Sequence, residues 1–250
     1  ATIFPHNIGL GCTFDEKLVY KVSKATAKEV AATGIDWNFA PCLSIPQDPR
    51  WGRYYEGYSE DPELVSKLGV AAINGYQNKI GGKHSIAACA KHFLGDGATI
   101  WGTGDNNYKI DRGNAIISEE DLRNKYLIPY EDAIDNGVLT IMASFNSYNG
   151  LKCHANEYLF NDLLKGELNF EGFVISDWRG IDEIPGDYKS DIVTSVNSGI
   201  DMIMVPGDTI WGGEPYHKFL KLFRESVNEG LISEDRLNDA VFRILKVKHQ

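Results

Sequence analysis

The sequence predicts an α/β fold in which parallel strands alternate with helices. Its 250 residues are 43% hydrophobic, which suits one large domain. Five short apolar segments have strand length, and helical patterns separate them. These segments are nearly continuous apolar runs, as is typical of strands covered on both faces. They are residues 35–40, 85–92, 138–146, 172–177 and 199–205.

Helical patterns have recognisable boundaries. Pro62 stands in a first turn, Ser118 and Asp121 resemble a capping box, and Gly137 stands where a helix should end. The predicted helices are 15–32, 62–78, 119–136, 156–168, 215–229 and one that begins at 234. This alternation implies right-handed parallel units, in either an open doubly wound sheet or a closed barrel.

Motifs, composition and the length of apolar runs disfavour four classes of protein. No G-x-G-x-x-G turn joins a strand to a helix, which argues against a nucleotide-binding sheet. The 35 acidic residues exceed the 25 Lys and Arg residues, and this net charge of -10 opposes binding to nucleic acid. The four cysteines show no C-x-x-C spacing, so we predict no zinc site. Apolar runs such as 199–205 are far shorter than the roughly 20 residues of a membrane span.

Five polar or aromatic residues lie at or beyond the carboxyl ends of predicted strands and suit an uncharged polyol. They are Arg53, Lys91, His92, Asp177 and Trp178. Cationic side chains donate hydrogen bonds to hydroxyls, an indole stacks on a pyranose ring, and a carboxylate can attack an anomeric carbon. Because parallel strands present their carboxyl ends at one face, these residues can share a pocket.

Each of these residues also has a structural interpretation. Asp177 can cap a helix or turn. Arg53 can form an ion pair with Glu56 or Glu60. Lys91 and His92 can fix loops.

Seven motifs, in this order, resemble glycoside hydrolase family 3, in its β-glucosidase and exo-β-glucanase branch. They are FPHNIGLG, WNFAP, DPRWGRYYEGYSEDP, AACAKHFLGDG, NGLKCHAN, GFVISDW and SGIDMIM. The resemblance covers almost the whole chain.

The resemblance implies a (β/α)8 TIM-type barrel. Residues 1–250 are then the family's N-terminal barrel domain, without its first strand or strands. The implied partners are a β-glucoside or β-glucan oligosaccharide and a C-terminal domain of the same full-length chain. That domain would supply the acid/base Glu, outside this sequence. No metal or organic cofactor is implied, and the implied location is extracellular, lysosomal or periplasmic.

The resemblance also implies residue roles in a retaining β-glucosidase that acts on terminal non-reducing β-D-glucosyl residues. Asp177 would be the nucleophile that forms a covalent glycosyl intermediate, and Trp178 would flank the sugar. Arg53, Lys91 and His92 would hold glycone hydroxyls. Asp105 is a further acidic candidate near the nucleophile.

Two alternatives remain open. The family's β-N-acetylglucosaminidase branch takes its acid from a His on a loop after the K-H motif, but the segments 95–97 and 103–107 here contain no His. The other alternative is a noncatalytic sugar-binding fragment.

Several further residues receive a structural interpretation or depart from the family pattern. We expect Asp201 to make structural hydrogen bonds, Asp96 to fix a loop, and His154 to have no ligand-binding role. Phe145 stands where the family often has Tyr, and Glu183 where some relatives have a basic residue.

Overall fold

A computed structural model describes residues 1–104, 107–207 and 214–250, and shows an α/β fold. Its strands are β1 Cys89–Phe93, β2 Asn114–Ala115, β3 Thr140–Ala143, β4 Ser147–Tyr148, β5 Leu151–Lys152 and β6 Phe173–Ile175. Its α-helices are α1 Asn7–Gly11, α2 Glu16–Ala31, α3 Pro62–Tyr76, α4 Glu119–Asp121, α5 Ile128–Asp135, α6 Tyr188–Asn197, α7 Tyr216–Asn228 and α8 Glu234–Lys248.

The main sheet is parallel, in the order β1-β3-β6. Two further segments, at residues 37–42 and at Met202, extend this sheet through isolated β-bridges. Trp37 and Cys42 pair with the β1 side, at Ala87 and Lys91, and Met202 pairs with Ile175 of β6. Five chain segments therefore run in parallel, and their order in the sheet follows their order along the chain.

Two of the predicted strands are wrong as regular elements. Residues 35–40 and 199–205 form isolated bridges instead of strands. At the first, Pro41 has no N–H to donate, although its carbonyl accepts from the Lys91 N–H. At the second, side chains replace ladder partners, since the Val174 N–H donates to Asp201 Oδ2 and the Met204 N–H to Ser176 Oγ.

Helix positions agree better with the sequence, because capping side chains mark them. The Asp61 carboxylate accepts from the first-turn N–H groups of α3, next to Pro62. The predicted helix 119–136 is instead divided into α4, a π-helix at Leu122–Tyr126, and α5. Residues 156–168 are largely a π-helix, Tyr158–Glu167. Helix α6 was not among the predicted helices; an Asp187 capping box begins it.

Alternate residues of each strand face two separate apolar clusters. Ala90 of β1 and Ile141 of β3 belong to the large cluster beneath the helices, whereas Cys89 and Met142 belong to a smaller cluster on the other face. Burial on both faces agrees with the continuous apolar runs in the sequence.

A second, small sheet joins β2, β4 and β5. With two three-stranded sheets in the described residues, closure into an eight-stranded barrel stays a prediction. Among those residues, no helix is both long and apolar enough to cross a membrane.

Candidate active site

Asp177 lies two residues beyond β6 and is 9% exposed. Its Oδ1 accepts a hydrogen bond from the Trp178 N–H at 2.6 Å. Its Oδ2 is buried and accepts no hydrogen bond from any described residue. The Nε2 atom of His92 lies 3.6 Å from Oδ2, beyond hydrogen-bond distance. A buried carboxylate oxygen without a donor is unfavourable, so this atom is available to a ligand.

The backbone of Asp177 is fixed by His154. The Asp177 N–H donates to His154 Nε2 at 3.0 Å. Burial lowers the pKa of His154 to about 3, and the charge of Lys152 contributes to the same direction. The imidazole is therefore neutral near pH 7, with a lone pair on Nε2 to accept this bond. The backbone of Gly180 packs directly against the His154 ring, and a Cβ atom at this position would lie 2.1 Å from His154 Nε2.

His92 connects the nucleophile candidate to Asp96. Its Nδ1 lies 2.8 Å from Asp96 Oδ2, and its Nε2 lies 2.8 Å from Arg53 Nη2. Burial opposes a charge on His92, but the hydrogen bond to Asp96 prevails and raises the pKa of the imidazole. The Arg53 guanidinium opposes that rise. The raised pKa favours a proton on both ring nitrogens, whereas Arg53 can only donate, so its 2.8 Å contact requires a lone pair on Nε2. The contact geometry decides for the neutral imidazole, with its proton on Nδ1 facing Asp96.

Arg53 forms the ion pair that its structural interpretation predicts, and it also lies beside His92. It makes a two-point ion pair with Glu56, with Nε to Oε1 at 2.7 Å and Nη2 to Oε2 at 2.9 Å. Through Nη2 it also contacts His92. The ion pair thus holds the guanidinium beside the imidazole.

The other predicted residues lie near this group or outside the described residues. Lys91 is half-buried, and no described residue accepts a hydrogen bond from its ammonium group. Burial raises the pKa of Glu56, but Arg53 and, to a smaller extent, the charge of Lys91 lower it, and the net shift is downward. The Trp178 side chain is 45% exposed, next to Asp177. Asp105 lies outside the described residues, so its predicted position is untested. The structure therefore brings Arg53, His92 and Asp177 into one cluster.

Two residues of this cluster were assigned no role in it by the sequence. Asp96 holds His92, and it also fixes its loop by accepting from the Gly97 N–H at 3.0 Å. Its spacing of four residues from His92 was an available signal. His154 lies within the NGLKCHAN motif, but its partner is a backbone group 23 residues away, and no side-chain pattern identifies such a contact.

At the outer edge, Glu183 forms ion pairs with two cations. It accepts from Arg112 Nη1 and from Lys152 Nζ, the latter at 3.3 Å. The Arg112 guanidinium lies over the Phe145 ring, 4.1 Å from its centroid. The negative charge of Glu183, the residue that departs from the family pattern, is therefore balanced by these two cations.

His92 and two neighbouring residues, Cys42 and Asp96, together have the composition of a metal site. Cys42 Sγ, a ring nitrogen of His92 and a carboxylate oxygen of Asp96 all lie within 4.8 Å of one another. The prediction of no zinc site rested on the spacing of Cys and His along the sequence, which does not show this arrangement.

Comparison with known proteins identifies the family of this chain. The family model for the glycosyl hydrolase family 3 N terminal domain matches residues 1–247. The chain is 36% identical to a lysosomal β-glucosidase of Dictyostelium discoideum, with 100% of the chain and 30% of the relative aligned. It is 30% identical to a periplasmic β-glucosidase of Salmonella typhimurium, with 99% and 31% aligned.

A solved structure gives the same result. The chain is 43% identical to a Q683A mutant of exo-1,3/1,4-β-glucanase from a Pseudoalteromonas species, with a TM-score of 0.89 over 100% of this chain and 38% of that one. The chain thus spans about a third of the length of the proteins that it matches. With the family model aligned from its first residue to position 247, the chain belongs to glycosyl hydrolase family 3, in the region of the N-terminal domain.

Proposed function

We propose that the full-length protein is a retaining β-glucosidase and that Asp177 is its nucleophile. The observation that carries this proposal is the buried Asp177 Oδ2, which has no hydrogen-bond donor among the described residues. Its partner oxygen and its backbone N–H are both fixed, by Trp178 and His154. An oriented carboxylate with one free oxygen is what attack on an anomeric carbon requires.

The reaction would proceed in two steps. In the first, Asp177 Oδ2 bonds to C1 of the glucosyl residue while the glycosidic C–O bond breaks, and a general acid gives its proton to the leaving oxygen. In the second, a water molecule, deprotonated by the same residue, attacks C1 and releases Asp177. Two inversions at C1 leave the β configuration unchanged.

The glycone would be held by the cations around Asp177. Arg53 and His92 already contact each other beside it, and the Lys91 ammonium has no hydrogen-bond acceptor among the described residues. Arg53 and Lys91 can donate to sugar hydroxyls, and His92, whose Nε2 lies 3.6 Å from Asp177 Oδ2, can accept from one. The exposed Trp178 indole offers an apolar face to the ring. We keep Asp105 as a proposed acidic contact near the nucleophile.

The proposal includes a larger architecture. We infer a (β/α)8 barrel, supported by five parallel segments whose polar residues follow their carboxyl ends. We also propose that the acid/base Glu lies in a C-terminal domain of the full-length chain, since the matched relatives are about three times as long. Names of relatives support a lysosomal or periplasmic location and a β-glucoside or β-glucan substrate, and we keep an extracellular location as a further proposal. They do not favour the N-acetylglucosaminidase alternative.

A trapping experiment tests the nucleophile. We expect a dinitrophenyl β-glucoside fluorinated at C2 to leave a stable fluoroglucosyl group on the full-length enzyme, because its leaving group needs no proton and the fluorine slows hydrolysis of the intermediate. Peptide mass spectrometry should place the label on Asp177. A label on another carboxylate, or none with glucose binding retained, would contradict the assignment and favour a noncatalytic sugar-binding protein.

A second prediction concerns His154 as a positioning residue. His154→Ala removes the acceptor of the Asp177 N–H and should lower kcat about 100-fold, the usual cost of a misplaced reacting group. His154→Gln keeps an acceptor and should lose less. The inhibition constant for glucose should be unchanged in both, since Arg53 and Lys91 remain. Exposed His84→Ala is the control; equal losses in kcat and glucose affinity would indicate a general structural role instead.

A further inference from the structure

A buried group of nitrogen, sulfur and oxygen donors lies behind His92, on the side away from Asp177. It consists of Cys42 Sγ, His92 Nδ1 and the Asp96 carboxylate, and these three residues are 3%, 2% and 7% exposed. Thiolate, imidazole and carboxylate are the ligands that Zn²⁺ takes in proteins. Their ligand atoms all lie within 4.8 Å of one another, a separation that donors around a single ion can have.

The three donors come from adjoining backbone segments. Cys42 pairs through its backbone with Lys91, next to His92, and Asp96 follows three residues after β1 ends. Ser44 connects two of them, because its Oγ lies 3.0 Å from Cys42 Sγ and donates to Asp96 Oδ2 at 2.6 Å. Ser44 thus offers a fourth oxygen at the same place.

In the structure, hydrogen bonds join the groups that would bind the ion. The chain of hydrogen bonds runs from the Cys42 thiol to Ser44, from Ser44 to Asp96, and from His92 Nδ1 to Asp96. A divalent ion would replace two of these proton positions. Its charge would be balanced by the Cys42 thiolate and the Asp96 carboxylate, while the charge of the nearby Arg53 is already balanced by Glu56.

We propose that Cys42, His92 and Asp96 bind a thiophilic divalent cation, such as Zn²⁺ or Cd²⁺, and that this ion inhibits the enzyme. On binding, the thiol proton is released to solvent and the imidazole proton moves from Nδ1 to Nε2. Only the inhibition, not the binding of the ion, rests on the proposed glucosidase function.

The geometry explains why occupancy would inhibit. A proton on His92 Nε2 faces Arg53 Nη2, a second donor, at 2.8 Å, so the guanidinium must move away. The same N–H lies toward Asp177 Oδ2, 3.6 Å away, and would occupy the oxygen proposed to attack the sugar. The ion thus acts on Arg53 and on Asp177 through His92, without contacting either of them. Because the donors are buried, inhibition should develop slowly after mixing.

Cd²⁺ added to the full-length enzyme tests binding without reference to activity. We expect one equivalent to produce a thiolate-to-cadmium absorption band in the ultraviolet, and Zn²⁺ to compete for it. Cys42→Ser should abolish the band and weaken metal binding by more than about 100-fold, since losing a group that merely orients a ligand costs about 10- to 100-fold. Cys153→Ser removes another buried thiol, and Cys12→Ser an exposed one, as matched controls.

Inhibition is measured in parallel, with an aryl β-glucoside and incubation in Zn²⁺. Time-dependent loss of turnover that a chelator reverses, and that Cys42→Ser prevents while keeping basal turnover, would support the proposal. A wild-type enzyme without the cadmium band overturns it, whatever the activity. A band that persists in Cys42→Ser but disappears in Cys153→Ser or Cys12→Ser overturns it as well. A band with normal turnover overturns the inhibitory role.

Discussion

Asp177→Asn in the full-length enzyme is expected to lower kcat about 10⁴-fold or more for an aryl β-glucoside, the scale seen when a covalent nucleophile is removed. The amide oxygen can still accept from the Trp178 N–H, so the fold and glucose binding should be preserved. What is lost is the negatively charged Oδ2 that lies without a donor beside His92. Steady-state kinetics and glucose inhibition measure the two effects separately.

The control is Asp182→Asn, five residues away, where the carboxylate pairs with Arg179 at 3.1 Å. It should keep kcat within a few-fold. Chemical rescue gives a further check. In Asp177→Gly, azide should restore turnover of a dinitrophenyl glucoside and give α-glucosyl azide, because a small anion replaces the missing carboxylate. Unchanged turnover in Asp177→Asn would remove the basis of the proposed mechanism.

Asp201→Ala should lower the free energy of unfolding by about 3 to 5 kcal/mol, as expected when one partner of a buried ion pair is removed. The Asp201 side chain is fully buried and accepts from Lys165 Nζ at 2.7 Å, from Arg236 Nη2 and from the Val174 N–H at 2.8 Å. Its loss leaves two cations without this buried partner and removes the acceptor from β6. Urea denaturation followed by circular dichroism measures the change.

Asp239→Ala is the matched control for this stability prediction. Asp239 contacts Arg236 as well, at 2.6 Å, but its side chain is 42% exposed. Removing such a solvated partner should cost about 0 to 1 kcal/mol. Equal effects for the two variants would show that the burial of Asp201 is not what makes its ion pairs important.

The sequence predicted helix positions and the alternation of strands with helices better than strand length. Helix α3 begins at Pro62 because Asp61 caps it, and both features are local. Strand 138–146 is regular only over Thr140–Ala143, because the residues beyond it turn toward the site and the small sheet. Apolar character extends past the regular strand here, so composition alone overestimates its length.

The sequence predicted only part of the candidate site, because one of its contacts is made to a backbone group. Arg53, His92 and Asp177 carry side chains whose chemistry is visible in the sequence, and they do come together. His154 acts on a backbone N–H, so nothing in the residue type of its partner identifies it. Asp201 was correctly expected to make structural hydrogen bonds, because apolar residues surround it in the chain.

The two-point pairing of Arg53 with Glu56 has a consequence for ligand recognition. A free arginine side chain gives up roughly 1.5 to 2 kcal/mol of rotamer entropy when it is immobilised. Here that ordering is complete once the chain has folded, so a small sugar arriving at the pocket would meet a guanidinium whose direction is already set. Even a single hexose ring, with few contacts of its own, can then be held without first ordering this side chain.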